Sequence, residues 1–355
     1  MKEFDNDLDK KFQFDFSQPT KSEVNINRLK SFLEKDPNPT LIFYGGEPLL
    51  EIERIKEIID ECKDISNIKF RIQTNGKLLD KLPIEYLNQI GKMLVSIDGD
   101  QETTDYNRGK DTYQKVVKNL QKAKQQDYKE EIIARMTLSA SDKFPDIFKQ
   151  VKFLIEECPV KFQSIHWQID AGFYKFDFDE EKIKGFFQAY NNSISKLIDY
   201  WIEELQKGNL LKIYPFLGIV NRLLGIDNET CIQCGAGQKG YAITTDGKIV
   251  ACPIMNSIKD FEAGNLNSKP EELKKFEIKE CQNCDVRKIC GGRCLYWRKS
   301  NLWPKEGDEI ICTSIKHLIS ELKNQLPKIQ EAIDKNIISK KDLEYEKYFG
   351  PEIIP

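Results

Sequence analysis

The sequence predicts an α/β protein in which a parallel strand–helix scaffold is followed by a small cysteine-rich domain. Two observations predict this class: short apolar runs alternate with amphipathic stretches through the first half of the chain, and eight of the ten cysteines lie within residues 231–312. Repeated strand–helix–strand order is typical of parallel β/α units, in which helices cover a sheet or ring a barrel. We divide the chain into a scaffold, a helical connector, the cysteine-rich domain and an amphipathic helical tail, at residues 1–175, 176–230, 231–312 and 313–355.

Composition and charge argue against several protein classes. The 355 residues are 40% hydrophobic and 31% charged, and they contain neither a long apolar run nor a signal-peptide segment. The 54 Lys and Arg residues against 57 Asp and Glu residues give a net charge of -3, without the basic excess of nucleic-acid-binding proteins. We therefore expect a cytoplasmic protein with no membrane and no nucleic-acid partner.

Five short runs rich in apolar and β-branched residues predict the strands of the scaffold. They are residues 41–44, 68–74, 93–97, 132–138 and 165–169. The first three run directly into the turn signals Gly45-Gly46, Asn75-Gly76 and Asp98-Gly99. Because the carboxyl ends of the strands carry the active site in β/α barrels, we expect a site at this edge.

Four of the predicted strands carry polar side chains at alternate positions, which share one face of a strand. These residues are Arg71 and Gln73, Ser96 and Asp98, Arg135 and Thr137, and His166, Gln168 and Asp170. A parallel sheet covered by helices normally buries apolar side chains on both faces, so the shared polar face predicts a ligand chamber. A satisfied buried polar network is the alternative. His166 and Asp170 are candidate acid–base groups, but no catalytic residue is assigned.

The cysteine-rich domain has the spacing of a metal site. Its cysteines are Cys231, Cys234, Cys252, Cys281, Cys284, Cys290, Cys294 and Cys312. Eight thiolates suffice for two four-thiolate sites, and spacing alone leaves zinc and iron–sulfur clusters equally open. The stretch 241–250 predicts a β-hairpin that turns at Thr245-Asp246-Gly247. The two other cysteines, Cys62 and Cys158, are predicted to be small buried hydrophobic residues.

Together these motifs resemble a radical SAM enzyme with a SPASM domain, over about residues 35–315. The resemblance is carried by Phe43-Tyr44-Gly45-Gly46-Glu47-Pro48, Gln73-Thr74-Asn75-Gly76, Ser96-Ile97-Asp98-Gly99, Arg135-Met136-Thr137 and the cysteine array. The Cys-Gly-Ala-Gly, Ala-Cys-Pro-Ile-Met, Cys-Gly-Gly-Arg-Cys and terminal Glu-Ile-Ile-Pro sequences are similar to a branch of archaeal peptide-modifying maturases.

The resemblance implies a partial (β/α)6 barrel that binds S-adenosylmethionine, followed by a domain with two auxiliary [4Fe–4S] clusters. It implies that the first cluster is bound by Cys231, Cys234, Cys252 and Cys294, and the second by Cys281, Cys284, Cys290 and Cys312. The cofactor-binding residues that it implies are Gly45, Gly46, Glu47, Ser96, Asp98, Arg108 and Arg135. The two glycines would meet the methionyl amino group through their backbone. Ser96, Arg108 and Arg135 would hold the ribose or carboxylate.

One part of the family pattern is absent from this sequence. Radical SAM chemistry uses a cluster bound by a Cys-x3-Cys-x2-Cys loop after the first barrel strand, but the first cysteine here is Cys62. Residues 1–12 are highly charged and predict a loop. We therefore expect a barrel that lacks its first strand, and a fragment or wrongly chosen start codon with the cluster loop lying upstream.

The resemblance implies a radical SAM peptide-modifying maturase. When complete, it would cleave S-adenosylmethionine to a 5′-deoxyadenosyl radical and oxidatively modify a peptide or protein, with a ferredoxin or flavodoxin as reductant. The alternative is a degenerate, non-catalytic iron–sulfur protein for electron transfer or peptide binding. A zinc-binding interaction module is a third possibility, if the cysteine array binds zinc.

Overall fold

Six parallel strands form the main sheet, and they follow one another across it in sequence order. The computed structural model describes residues 8, 11–140, 146–170 and 178–350. The strands are β1 (Thr40–Phe43), β2 (Lys69–Thr74), β3 (Ile90–Ser96), β4 (Glu131–Leu138), β5 (Ser164–Ile169) and β6 (Lys212–Ile213). Parallel neighbours need a crossover connection, and here helices supply it. The predicted α/β fold is confirmed.

The sixth strand was not predicted from the sequence. The five expected strands lie where the apolar runs indicated, but β6 falls inside the segment 176–230, which we had assigned to a helical connector. Its two residues pair with Ser164 and Ile165 of β5. A two-residue strand has no alternation to detect, and this one is set by tertiary packing, since Ile213 is fully buried.

Four of the helices around the main sheet begin at polar side chains that accept hydrogen bonds from their first turns. Asn25, Asp100, Asp146 and Asp179 each accept from a backbone N–H three residues later. The helices are α1 (Ile26–Leu33), α2 (Ile52–Cys62), α3 (Ile84–Leu87), α4 (Gln101–Arg108), α5 (Thr112–Gln125), α6 (Ile147–Glu156), α7 (Glu180–Gln206) and α8 (Tyr214–Leu223). Cys62 and Cys158 are fully buried in the apolar core, as predicted.

The cysteine-rich domain has a small antiparallel sheet of its own. Its strands are β7 (Ala242–Ile243), β8 (Lys248–Val250) and β9 (Glu262–Asn265), in that order. The predicted hairpin is confirmed: the N–H of Thr244 donates to the carbonyl of Lys248, and Gly247 supplies the positive φ of the turn. Two short helices follow, α9 (Arg287–Cys290) and α10 (Leu295–Ser300).

The tail begins with two helices, α11 (Lys305–Asn324) and α12 (Leu326–Asp334). α11 packs along α7, where Ser314 Oγ donates to Asn191 Oδ1 at 2.6 Å. Beyond Asp334 the described chain has one 3-10 turn, Lys340–Leu343, and is otherwise irregular. The predicted helical tail over 313–355 therefore holds only as far as α12.

The irregular end of the tail packs against the main sheet. Phe349 is 2% exposed and contacts a small apolar cluster with Leu94 of β3 and Ile133 of β4. Glu346 lies 2.8 Å from Nη2 of Arg71 and 3.3 Å from Nζ of Lys92. Since these strand residues lie near the amino-terminal halves of their strands, the tail covers that half of the sheet face.

Two sequence features fall outside the described residues. The terminal Glu-Ile-Ile-Pro sequence lies there, as does the amino-terminal stretch 1–12 except for residues 8, 11 and 12. Within the part of the chain that the structure describes, none of the helices combines the length and apolarity needed to cross a bilayer.

Candidate functional site

Glu47 ties together the turns that follow β1 and β2. Its Oε1 accepts hydrogen bonds from the N–H of Leu49 at 3.0 Å and the hydroxyl of Thr74 at 2.7 Å. Its Oε2 accepts from the N–H of Asn75 at 2.7 Å. Both carboxylate oxygens are thus engaged by the protein. The geometry gives Glu47 the role of fixing the Gly-Gly turn to the end of β2.

The two glycines of that turn border open space. Gly45 has a φ of +133°, which side chains of L-residues rarely adopt. A Cβ added at Gly45 or Gly46 would meet no described atom within 4 Å. The backbone of this turn can therefore approach a ligand closely.

Asp98 is the centre of a saturated hydrogen-bond cluster at the end of β3. Its carboxylate accepts from Nε and Nη2 of Arg108, both at 2.7 Å, which is a bidentate charge-assisted pair. It also accepts from Asn107 at 3.2 Å and from the N–H of Thr137 at 2.9 Å. Asp98 is 1% exposed. The residue therefore orients α4 and Arg108 against the ends of β3 and β4.

Arg135 carries an unsatisfied donor at the same edge of the sheet. Its Nη2 donates to Gln168 Oε1 at 2.8 Å, while its buried Nε has no hydrogen-bond partner in the described structure. Burial lowers the pKa of the Arg135 guanidinium, although nearby Tyr44 and Asp98 oppose that shift. An anionic acceptor would satisfy this donor and offset the burial.

Strand register places three polar side chains in one row. Ser96 of β3 pairs with Arg135 of β4, and Arg135 pairs with His166 of β5. Ser96 and His166 are both buried. Asp170 is exposed at the end of β5, so the two candidate acid–base residues do not share an environment.

The polar face predicted from the sequence is divided between two environments. Arg71 pairs with Glu346 of the tail, as described above. The row formed by Ser96, Arg135 and His166 lies towards the carboxyl ends of the strands. On β3 the residues Lys92, Leu94 and Ser96 alternate on one face, so the apolar cluster at Leu94 separates the two. The part of the face open to a ligand is therefore the carboxyl-terminal half.

The thiols of the cysteine-rich domain fall into two electrostatically coupled groups. Cys252 interacts with Cys294, while Cys281 interacts with Cys284 and Cys312. Cys290 interacts with Cys281 and Cys312. These interactions join six of the eight thiols, with Cys252 and Cys294 in one group and Cys281, Cys284, Cys290 and Cys312 in the other. By distance along the sequence alone, Cys294 would have been grouped with Cys281, Cys284 and Cys290.

Burial and like charge disfavour free thiolates in both groups. Burial, and after it the charge of Cys294, raises the pKa of the Cys252 thiol to about 12. Burial is also the main reason that the pKa values of Cys281 and Cys290 are raised. Since only a thiolate binds metal, a bound metal centre is what would stabilise the deprotonated form here.

The loop of Cys231 and Cys234 packs against the segment between Cys290 and Cys294. Gly291 has a φ of +69°, and a Cβ at this position would collide with the backbone carbonyl of Cys231. The Sγ of Cys231 lies 4.0 Å from the hydroxyl of Tyr348 in the tail. The loop therefore lies beside the segment that joins Cys290 of one group to Cys294 of the other.

Arg293, two residues after Gly291, provides a test of whether this domain fits an anionic centre. Arg293 lies between Cys290 and Cys294 in sequence and is 3% exposed. Its Nε and Nη1 are buried without a hydrogen-bond partner in the described structure. Burial lowers the pKa of Arg293, and the charges of Cys294 and Cys290 oppose this. Two unsatisfied cationic donors among thiols fit a sulfur-rich, negatively charged group.

No three Cys, His, Asp or Glu side chains among the described residues converge on one point that could hold a single metal ion. A tetrahedral zinc site needs four ligands around one ion. A [4Fe–4S] cluster is larger, and its four cysteines bind separate irons. Cysteine thiolates are the donors of both kinds of centre.

Sequence reasoning missed Arg298, which touches the second thiol group. Arg298 follows Cys294 by one helical turn in α10, and its Nη2 donates to Sγ of Cys312 at 3.1 Å. A basic residue one turn after a ligand cysteine was the available signal. The contact of Tyr348 with Cys231 had no sequence signal, because it joins residues far apart in the chain.

Comparison with known proteins identifies the scaffold. Residues 15–140 match the profile of the Radical SAM superfamily. The chain carries a radical SAM domain. This domain spans α1 to β4, and so includes the glycine turn, Ser96, Asp98, Arg108 and Arg135.

The chain is similar to curated proteins over most of its length. It is 27% identical over 309 residues to the cysteine-type anaerobic sulfatase-maturating enzyme of Clostridium perfringens strain 13, covering 79% of this chain and 80% of that protein. It is 29% identical over 293 residues to an uncharacterized protein of Archaeoglobus fulgidus, covering 77% and 66%. It is 24% identical over 301 residues to the radical SAM cyclopropyl synthase TigE of Paramaledivibacter caminithermalis, covering 79% and 60%.

Solved structures share the fold. The enzyme anSMEcpe with bound AdoMet superposes with a TM-score of 0.65 at 20% identity, covering 90% of this chain and 88% of that chain. The native form with bound AdoMet and the Kp18Cys peptide also gives 0.65 at 20% identity, covering 92% and 95%. The likeness extends across the scaffold and the cysteine-rich domain.

Proposed function

We propose that this chain is a peptide-modifying radical SAM maturase with two auxiliary [4Fe–4S] clusters. The observation that carries the proposal is the joint presence of a radical SAM match over residues 15–140 and a downstream domain of eight cysteines, six of whose thiols fall into two interacting groups. Its relatives include a sulfatase-maturating enzyme and a radical SAM cyclopropyl synthase. The substrate is a peptide or protein.

The proposed S-adenosylmethionine site lies at the carboxyl ends of β1 to β4. The open backbone of Gly45 and Gly46 is available to an amino group, and the unsatisfied Nε of Arg135 is available to a carboxylate. Ser96 lies beside Arg135 in the sheet and adds a hydroxyl. S-adenosylmethionine bound to a reduced cluster supplies hydrogen-abstracting radical chemistry.

Glu47, Asp98 and Arg108 serve this site as positioning residues. Both oxygens of Glu47 and both oxygens of Asp98 already accept hydrogen bonds from the protein. Asp98 holds Arg108 in a fixed orientation through their ion pair. These residues set the shape of the turns around the ligand, and the direct contacts fall to the glycines, Ser96 and Arg135.

The cysteine ligands are proposed as two sets. Cys231, Cys234, Cys252 and Cys294 would bind the first cluster, and Cys281, Cys284, Cys290 and Cys312 the second. The electrostatic interactions of six of these thiols support the division, and the family resemblance assigns Cys231 and Cys234 to the first set. An external one-electron donor such as a ferredoxin or flavodoxin would reduce the clusters.

A peptide substrate suits the exposed side chains at the mouth of the site. Tyr44 and Leu50 follow β1, and Tyr106 follows β3 in α4. Their exposed fractions are 41%, 70% and 56%. Because the carboxyl ends of parallel strands meet at one edge, these apolar groups surround the proposed cofactor site. Large exposed apolar side chains are typical of surfaces that bind partners.

A non-catalytic iron–sulfur protein is the second candidate function. The 355 residues contain no Cys-x3-Cys-x2-Cys motif, the ligand set that radical SAM chemistry uses, while both auxiliary sets are present. Such a protein would use its clusters for electron transfer or peptide binding.

The metal content of protein isolated anaerobically from its native source tests the proposal. We expect about eight irons and eight sulfides for two auxiliary clusters, and about twelve where a third, S-adenosylmethionine-binding cluster is present. Cys312→Ala should lower iron by about four. Formation of 5′-deoxyadenosine after dithionite reduction separates the enzyme from the non-catalytic alternative. Zinc without sulfide would refute both.

A further inference from the structure

Arg298 makes a direct contact with a cysteine sulfur. Its Nη2 donates to Sγ of Cys312 at 3.1 Å. The contact joins α10 to α11 across the second thiol group. A hydrogen bond from a cation to a sulfur is charge-assisted, and so is stronger than one from a neutral donor.

The guanidinium of Arg298 is held in place on its other sides. Its Nη1 donates to Asp308 Oδ2 at 2.8 Å, and its Nε donates to the carbonyl of Gly292 at 3.4 Å. Asp308 in turn accepts a hydrogen bond from Nε1 of Trp297. The Arg298 side chain is 7% exposed. A planar donor held by these two partners stays directed at the sulfur without rearrangement.

The charge of Arg298 reaches the other thiols of the same group. It interacts electrostatically with Cys281 as well as Cys312, and also with Cys290. The interaction favours negative charge on each of these sulfurs. Arg287 and Lys316 also interact electrostatically with thiols of this group, but among the described residues Arg298 is the cation that hydrogen-bonds one of its sulfurs.

We propose that Arg298 raises the reduction potential of the second auxiliary cluster through its hydrogen bond to Cys312. This inference rests on the proposed function, because it requires a cluster bound by Cys281, Cys284, Cys290 and Cys312. Reduction adds one electron, and so one negative charge, to the cluster. A cationic donor on a ligand sulfur stabilises the reduced form more than the oxidised form. Arg298 acts through Cys312 and is a positioning residue.

Redox titration followed by electron paramagnetic resonance tests the inference on the full chain. Dithionite supplies the electron, and wild-type protein should show two auxiliary-cluster midpoints. In Arg298→Gln we expect one midpoint potential to fall. At a fixed applied potential, the ratio of reduced to oxidised cluster should drop about tenfold. For a one-electron couple this corresponds to a fall of about 59 mV. The other midpoint should not move.

Two further variants make the test specific. Lys299→Gln removes the same charge from the adjacent residue of α10. Lys299 pairs with Glu280 at 3.5 Å and makes no hydrogen bond to a thiol within the described part of the chain, so this variant should leave both midpoints unchanged. Arg298→Lys keeps the charge but loses the planar fork, and we expect a smaller fall in the same midpoint.

Iron and sulfide analysis distinguishes the failure of this inference from that of the proposed function. Wild-type protein without iron and sulfide would overturn the proposed function, and the inference with it. Loaded Arg298→Gln with unchanged midpoints, or with both midpoints shifted equally, would overturn the inference alone. If Arg298→Gln does not load, an Arg298→Lys midpoint equal to wild type would overturn it and a lower one would support it.

Discussion

Replacement of Glu346 by glutamine tests how the tail is held against the main sheet. The carboxylate lies 2.8 Å from Arg71 and 3.3 Å from Lys92, and the three side chains are 16%, 8% and 16% exposed. Loss of one partner of a buried ion pair costs about 3–5 kcal/mol, whereas an exposed pair contributes at most about 1 kcal/mol. Lys92 keeps a second partner, Glu131, at 2.8 Å. We therefore expect Glu346→Gln to lower the free energy of unfolding by about 2–3 kcal/mol.

Urea unfolding at pH 7, followed by circular dichroism, measures this loss. Glu344→Gln is the matched control, because Glu344 is exposed and only two residues away. Its replacement should change the free energy of unfolding by less than about 0.5 kcal/mol. Equal losses in the two variants, or no loss in Glu346→Gln, would refute the argument that the ion pairs fasten the tail.

The pH dependence of that difference provides a second check. Burial acts to raise the pKa of Glu346, but the hydrogen bonds and charge of Arg71, with Lys92 and Lys69, outweigh it and leave the pKa below the ordinary value of 4.5. A carboxyl whose pKa is lowered by folding stabilises the protein above its unfolded pKa, and that contribution is lost as pH falls through the folded pKa. The stability difference between wild type and Glu346→Gln should therefore shrink below about pH 4.5.

Three other predictions concern the candidate sites. Arg135→Gln should weaken S-adenosylmethionine binding by about tenfold to a hundredfold, because a charged hydrogen bond contributes about 1.5–3 kcal/mol. Isothermal titration calorimetry measures this affinity, and an unchanged affinity would contradict the prediction. Asp98→Asn should lower the free energy of unfolding by about 2–4 kcal/mol in urea, since it leaves Arg108 without its carboxylate. Gly291→Ala should lose about four irons by metal analysis. Gly225→Ala, with a similar φ of +70° but open space around it, should keep its full iron content. Equal iron content in both variants would show that the contact of Gly291 with Cys231 is not needed for cluster binding.

Local patterns were enough to predict most of the scaffold. Apolar runs and turn residues placed β1 to β5, and Thr245-Asp246-Gly247 placed the hairpin of the cysteine-rich domain. Each of these signals lies within a few residues of the element that it predicts, because strand alternation and turn conformations depend on neighbouring side chains. β6 was missed for the opposite reason, since a two-residue strand exists only through its pairing with β5.

The roles of polar residues were harder to predict than their positions. Glu47 and Asp98 were expected to contact a cofactor, and in the structure both carboxylates accept hydrogen bonds from neighbouring turns, strands and helices. Residue type indicated that these positions are polar and lie at strand ends. Whether an oxygen faces a ligand or a backbone N–H depends on how the turns approach one another, which a single sequence does not encode locally.

The amino-acid sequence determined the class of this protein, because strand order, glycine turns and cysteine spacing are all read over short distances along the chain. Only the tertiary structure decided how distant parts meet: the tail covering the sheet through Glu346, Tyr348 beside Cys231, and Arg298 on Cys312. The physical reason is that such contacts depend on the path of the folded backbone. Their energies come from burial and charge at points that chain order does not bring together.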